Sequence, residues 1–219
     1  MAAVSDPHAG QPVLRSGPSP KGARLVAIIL HGRGASAEDI LGLAHQFSAR
    51  DIAYVAPQAA GPGWYPYSFL APVAQNEPWL GSALGVVAGL AEDLAEQGIP
   101  AERLVVMGFS QGACLTLEFA ARHARRYAAV VAFTGGVIGP PGTPRDYTGD
   151  FAGTPVFIGS SDVDPHVPLE RVQESTAVFR RMGATVDERI YPRMGHTINA
   201  DELHAVDALL AEGPRRPTR

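Results

Sequence analysis

Short, uniformly apolar runs alternate along the chain with longer stretches that repeat at helical period. Leu25 to Leu30, Ala53 to Ala56, Leu104 to Met107, Val130 to Phe133, Val156 to Gly159 and Val186 to Tyr191 read as strands. Between them, Ala37 to Ala49, Trp79 to Gln97, Gly112 to His123, Pro168 to Met182 and Ala200 to Ala211 read as helices. Strand and helix in alternation predict a parallel sheet joined by crossover helices. Most of the strand runs are continuously apolar, as expected when helices cover both faces of the sheet. The fold class is therefore α/β, with a mostly parallel central sheet.

Two connections are longer than simple loops. Gln58 to Pro78 holds Trp64, Tyr65, Tyr67 and Phe69 among glycines and prolines, and Gly135 to Pro155 is rich in Gly, Pro and Thr where a crossover helix is expected. Long connections of this kind inside a compact domain are usually functional or mobile. Neither is large enough to fold alone, and no internal repeat is present. A single domain over residues 21–212 is expected, with a flexible N-terminal segment, 1–20, that includes His8, and a flexible tail, 213–219.

Composition narrows the function classes. Of 219 residues, 46% are hydrophobic and 18% charged, which supports a full core and argues against disorder. The formal net charge of -4 and the scattered Lys and Arg give no electrostatic footprint for nucleic acid. The basic residues Arg215, Arg216 and Arg219 read as a solvated end. A lone cysteine, Cys114, excludes an internal disulfide and any thiolate metal cluster, and reads as a small core residue. Met1 to Pro20 lacks the basic start and apolar core of a secretory signal, and no run reaches membrane-spanning length. The expected setting is cytoplasmic, without stable membrane insertion.

Chemistry concentrates at Gly108-Phe109-Ser110-Gln111-Gly112, between an apolar run and a helix-forming stretch. The pattern Gly-x-Ser-x-Gly places a serine on a tight strand-to-helix turn, where a Cβ on either side would collide with the neighbouring backbone. A serine hydroxyl needs a base to take its proton during attack, and histidine fits best. His196 lies in the glycine-bearing loop after the last strand run, at the sheet edge that also carries the Ser110 turn. His45, His123 and His204 fall within helices, and His166 reads as a surface loop residue.

The imidazole needs an acid to fix its tautomer. Asp162 and Asp164 both follow the Val156 to Gly159 strand; Asp164 precedes Pro165, which stiffens the loop, whereas Asp162 suits a turn cap. The chain order Ser110, Asp164, His196 is that of α/β-hydrolases. Negative charge on the attacked carbonyl oxygen calls for donors: the backbone N–H of Gln111, and that of Arg33 within His31-Gly32-Arg33-Gly34.

His31-Gly32-Arg33-Gly34, Ala56-Pro57-Gln58, Gly108 to Gly112, Asp164-Pro165-His166-Val167-Pro168 and Gly195-His196 together resemble the phospholipase/carboxylesterase family, which includes the acyl-protein thioesterases and small bacterial carboxylesterases. The likeness runs from about Leu25 to Leu210. It implies an α/β-hydrolase fold without a large cap domain and a serine hydrolase acting on small-molecule carboxylic esters, thioesters or lysophospholipids through an acyl-enzyme. It implies neither metal nor organic cofactor, and it favours Asp164, because the family's acid stands directly before the Pro of Asp-Pro-x-Val-Pro. Arg33 stands where family members often carry an aliphatic residue, and its side chain would narrow the site or meet an anionic group.

The aromatic loop is the clue to the substrate. Trp64, Tyr65 and Phe69 are expected to wall the acyl or alcohol pocket and to act as a short lid, and an apolar patch beside them would suit a homodimer. Two rival readings are a non-catalytic ligand-binding protein on the same fold and a small serine peptidase. The first has no need of Ser110, Asp164 and His196 together, and the second calls for an additional screening domain.

Overall fold

In the computed structural model, which describes residues 6–212, the strands are β1 (Val13–Ser16), β2 (Leu25–Leu30), β3 (Ile52–Pro57), β4 (Leu104–Phe109), β5 (Ala129–Phe133), β6 (Pro155–Ser161) and β7 (Thr185–Tyr191). The helices are α1 (Ala37–Ala44), α2 (Trp79–Glu96), α3 (Gln111–Arg122), α4 (Leu169–Arg181) and α5 (Ala200–Glu212). The strands form one sheet in the order β1-β3-β2-β4-β5-β6-β7. All neighbours are parallel except β1, which runs antiparallel to β3. From β2 the chain moves outward to β3, then returns through α2 to place β4 on the other side of β2. That reversal opens a crevice beyond the carboxyl ends of β2 and β4, the standard ligand position in an open α/β sheet.

The continuous apolar runs are explained by two cores. Val26, Ile28 and Leu30 face one core, built with α2, α3 and α4; Leu25, Ala27 and Ile29 face the other, built with α1 and α5. All six strand runs and all five helices read from the pattern are present, with shifted ends. The largest shift is in α1, which stops at Ala44 rather than Ala49. The chain tightens there, and the Ser48 amide is taken by Asp207 of α5, so Phe47 is buried from a turn instead of a helix.

The N-terminal expectation is corrected for residues 6–20. Val13–Ser16 adds an edge strand, and His8 is buried, with its backbone amide donating to Ser82 Oγ at 3.0 Å. Residues 1–5 and the tail 213–219 lie outside the described residues. The 135–155 connection has no crossover helix, and side chains of α3 and α4 hold it instead. Arg171 Nη1 donates to the carbonyls of Val137 and Gly139 (2.8 and 2.6 Å), while Glu118 Oε2 accepts from the Ile138 amide and the Tyr147 hydroxyl, both at 2.9 Å.

Two close contacts have measurable consequences. α3 starts so near the end of β2 that a Cβ on Gly112 would stand 2.2 Å from the Leu30 carbonyl oxygen. Gly112→Ala is expected to destabilise the protein by roughly 3 kcal/mol or more, because backbone cannot yield as a side chain can. Urea denaturation checks it, and an unchanged midpoint would contradict the packing.

At the start of α5, Asn199 Oδ1 accepts the Glu202 N–H and Glu202 Oε2 accepts the Asn199 N–H at 2.8 Å, a reciprocal cap. Glu202 is fully buried, and its other oxygen packs on Gly159 without a partner among the described residues. Burial pushes its carboxyl up to about 7 from 4.5; the Asn199 amide opposes this and the Asp201 charge adds to it. The folded state thus holds a proton that the unfolded state has released between these values. The associated stability is present below about 4.5 and lost as pH rises through about 7. Glu202→Gln should be the more stable protein at pH 8, by up to about 3 kcal/mol. Thermal melts at pH 5 and pH 8 check this, and an equal pH dependence in both proteins would contradict it.

Candidate active site

β4 runs directly into Ser110, whose backbone adopts φ 56° and ψ -120°, a left-handed conformation that L residues rarely take. Three glycines make room for it. A Cβ on Gly108 would lie 2.5 Å from the Gly112 backbone, one on Gly112 would strike β2, and one on Gly135 would lie 2.6 Å from Ala113. The Ser110 amide donates to the Phe133 carbonyl at 2.9 Å, and its carbonyl receives the Cys114 amide at 3.0 Å. A strained residue of this type costs on the order of 1–3 kcal/mol and persists only where its surroundings over-determine it. The result is a hydroxyl raised above the sheet edge at the head of α3.

The loop after β7 brings His196 to that hydroxyl. Its Nε2 lies 2.8 Å from Ser110 Oγ, and its Nδ1 lies 2.7 Å from Asp164 Oδ2. A carboxylate can only accept, so Nδ1–H donates to Asp164 and Nε2 is left to accept the serine proton. Asp164 Oδ1 accepts the amides of His166 and Val167 at 2.8 and 2.9 Å, and its side chain is 0% exposed against 20% for His196. Burial alone would raise the Asp164 carboxyl, but the His166 amide, the His196 ring and the Val167 amide together outweigh it and hold it below its ordinary value. Asp164 therefore stays a carboxylate.

Asp162 stands elsewhere. Its Oδ1 accepts the amide of Arg193 at 2.7 Å, tying the β6 loop to the β7 loop at a residue with φ 55°. The sequence alternatives thus separate by geometry: Asp164 meets the imidazole, and Asp162 steadies the loop that carries it. His166, expected on the surface, is exposed but also lies edge-on to His196 with ring centres 4.8 Å apart.

The loop after β2 supplies the facing wall. His31 is fully buried; its Nε2 accepts the Ala59 amide at 3.1 Å, so Nδ1 carries the proton and donates to the Gly32 carbonyl at 2.8 Å. Burial lowers the His31 pKa, which keeps the ring neutral and able to accept. With the Gly32 carbonyl held on one side, the trans peptide turns the Arg33 N–H to the other. Gly32 itself lies against Ser110, where a Cβ would be 3.4 Å from the serine Cβ. Neither the Arg33 nor the Gln111 backbone N–H has a protein acceptor among the described residues.

A cleft of about 590 Å³ opens over Ser110, lined by Arg33, Tyr65 to Phe69, Ser110, Gln111, Cys114, His166, Val167 and His196. Tyr65 and Phe69 stand in its wall. Trp64 does not, which corrects the expectation for that residue. It is fully buried, its Nε1 donates to the His31 carbonyl at 2.9 Å, and its ring packs between His31 and His8. An indole with a buried N–H must find an acceptor, and the acceptor lies beneath the loop rather than in the cleft.

Neighbouring side chains hold the loop that carries these aromatics. The Gln111 side chain accepts the Trp64 amide at 2.9 Å and donates to the Tyr65 carbonyl at 2.8 Å. The Arg33 guanidinium donates to the carbonyls of Tyr65, Pro66 and Tyr67 at 2.8, 3.0 and 2.8 Å. Behind the loop, His8 Nδ1 accepts the Ala60 amide and its Nε2–H donates to the Trp64 carbonyl, both at 2.9 Å. Sequence reasoning places His8 in a flexible segment and gives the imidazole of His31 no role, since a lone histidine carries no periodic signal. Cys114, read as a core residue, is buried at the cleft floor, where burial pushes its thiol up to about 12.

The model of the phospholipase/carboxylesterase family matches residues 17–212. The chain is 24% identical to an acyl-protein thioesterase 1 of Neurospora crassa, covering 84% of this chain and 85% of that protein. It is 25% identical to a probable carboxylesterase SOBER1-like protein of Arabidopsis thaliana, covering 87% and 79%. Among solved structures, a phospholipase/carboxylesterase from Dyadobacter fermentans superposes with a TM-score of 0.88 at 45% identity, covering 96% of this chain and 99% of that one. Esterase PE8 superposes with a TM-score of 0.76 at 25% identity, over 93% and 98%. A strand-to-helix serine on a mostly parallel sheet, matched along nearly its whole length, places this chain in the phospholipase/carboxylesterase family.

Proposed function

We propose that the chain hydrolyses carboxylic esters and thioesters through an acyl-enzyme on Ser110, with His196 as base and Asp164 as its orienting acid. One observation carries the assignment: the unbroken hydrogen-bonded line from Ser110 Oγ through both ring nitrogens of His196 to a buried carboxylate, at the floor of a cleft. The names of the relatives, thioesterase and carboxylesterase, support the reaction class.

The chemistry follows from the geometry. As Oγ bonds to the carbonyl carbon, its proton passes to His196 Nε2, and Asp164 stabilises the imidazolium that forms. Charge then develops on the former carbonyl oxygen, for which the N–H groups of Arg33 and Gln111 are the donors. The tetrahedral species collapses with breakage of the C–O or C–S bond, and the leaving alcohol or thiol takes the proton from Nε2. Water repeats the sequence in reverse, releasing the acid and restoring Ser110. The preset positions matter because an amide already aimed at the developing oxyanion need not reorganise during reaction. Tyr65 and Phe69 form the apolar side of the cleft, where the acyl chain or the alcohol lies.

Substitution distinguishes the two aspartates. Ser110→Ala is expected to remove several orders of magnitude of kcat for a p-nitrophenyl ester while the melting temperature holds. Asp164→Asn should cost on the order of 10⁴ in kcat, since an asparagine leaves the imidazole in the wrong tautomer. Asp162→Asn should cost far less, because only the loop tether to Arg193 is weakened. Steady-state kinetics on the three variants checks the assignment, and an Asp162→Asn loss equal to that of Asp164→Asn would overturn it.

A further inference from the structure

The cleft lining contains one permanently charged side chain, the guanidinium of Arg33, and no carboxylate. Arg33 forms no ion pair among the described residues. The two acids of the loop after β6 are already engaged: Asp164 by His196 and two amides, Asp162 by the Arg193 amide. Three carbonyls of the aromatic loop fix the guanidinium in place. A guanidinium has five N–H donors, so Nε–H and one Nη1–H are left without a protein acceptor among the described residues. The cation also lies within one side-chain length of its own amide, the proposed oxyanion donor.

Carbonyl dipoles solvate a cation without cancelling its charge, so the residue presents an immobile positive centre at the point where a substrate enters. The head of α3 opens on the same cleft and adds to the positive potential there. A merely structural strap could use a neutral donor, and a cleft built for plain apolar esters would lose affinity to a fixed charge in its wall.

We propose that the cleft selects esters and thioesters bearing an anionic group, a carboxylate or phosphate, close to the scissile carbonyl, with the Arg33 guanidinium as the specificity-determining contact. This rests on Ser110 being the nucleophile. The anion belongs to either the acyl or the alcohol part of the substrate, and two matched pairs separate these. Mono-(p-nitrophenyl) adipate against its methyl ester tests the acyl side, and 4-butyryloxybenzoate against its methyl ester tests the alcohol side.

For the wild-type chain, kcat/KM should favour the charged member of one pair by about tenfold or more at low ionic strength, chiefly through KM. The preference should shrink as salt is added. Arg33→Gln should abolish the ratio and its salt response, and Arg33→Lys should restore part of both, since charge survives without the planar fork. The ratio is read within each protein, so a general loss of activity does not imitate loss of selectivity. The wild-type salt response decides the matter even where Arg33→Gln does not fold. Equal or lower kcat/KM for the charged member of both pairs overturns the proposal, as does a preference that persists in Arg33→Gln. Turnover of the neutral members alone leaves the Ser110 reading standing while Arg33 fails, whereas no turnover of any of the four esters removes both.

Discussion

The close approach of the start of α3 to the end of β2 is the constraint on which the site depends. Gly112 rests on the Leu30 carbonyl with no room for a side chain, and Gly108 faces Gly112 across the same turn. Only with both side chains missing can Ser110 hold its left-handed backbone and lift its hydroxyl off the sheet. The same contact draws the β2 loop to the serine, where a Cβ on Gly32 would lie 3.4 Å from the serine Cβ. The proposed nucleophile and the proposed oxyanion donors are therefore set by one packing event. The switch in strand order between β2 and β4 makes that event available.

Around this point the protein uses side chains to fix backbone. The imidazole of His31 turns the Gly32 peptide, the carboxamide of Gln111 and the guanidinium of Arg33 hold the aromatic loop, and Asp162 ties the His196 loop to the end of β6. Each is a polar group in or beside the core, and each finds its partner in a loop that has no regular secondary structure to satisfy it. Long irregular connections are thereby tied to the elements around them. The cleft wall is preset, which suits a reaction whose rate depends on donors already in position.

Much of this was legible in the chain. Continuous apolar runs at Leu25 to Leu30 and Leu104 to Met107 reported burial on both faces, and glycines flanking Ser110 reported the turn. The order Ser110, Asp164, His196 could be read because each residue lies in the connection after its own strand, so that topology brings them to one edge. What escaped has a common cause. The strand Val13–Ser16 lies at the sheet edge with its middle residues exposed, so its pattern carried too little apolar signal. Trp64 was expected in the cleft because composition shows that a loop is aromatic, not which way each ring turns. Its indole N–H follows the His31 carbonyl, and no local pattern encodes a partner 33 positions away. The side chains of His8, Gln111 and Asp162 likewise act through long-range hydrogen bonds to backbone.

The claim that everything else serves is that Ser110 becomes acylated. Incubating the protein with a fluorophosphonate and mapping the adduct by mass spectrometry tests this most directly, because the reagent is attacked only by a serine whose proton has somewhere to go. A single adduct on the peptide containing Ser110 is expected, missing in Ser110→Ala and much slower to form in His196→Ala. An adduct on another residue, or wild-type protein left unmodified after long incubation, would contradict it.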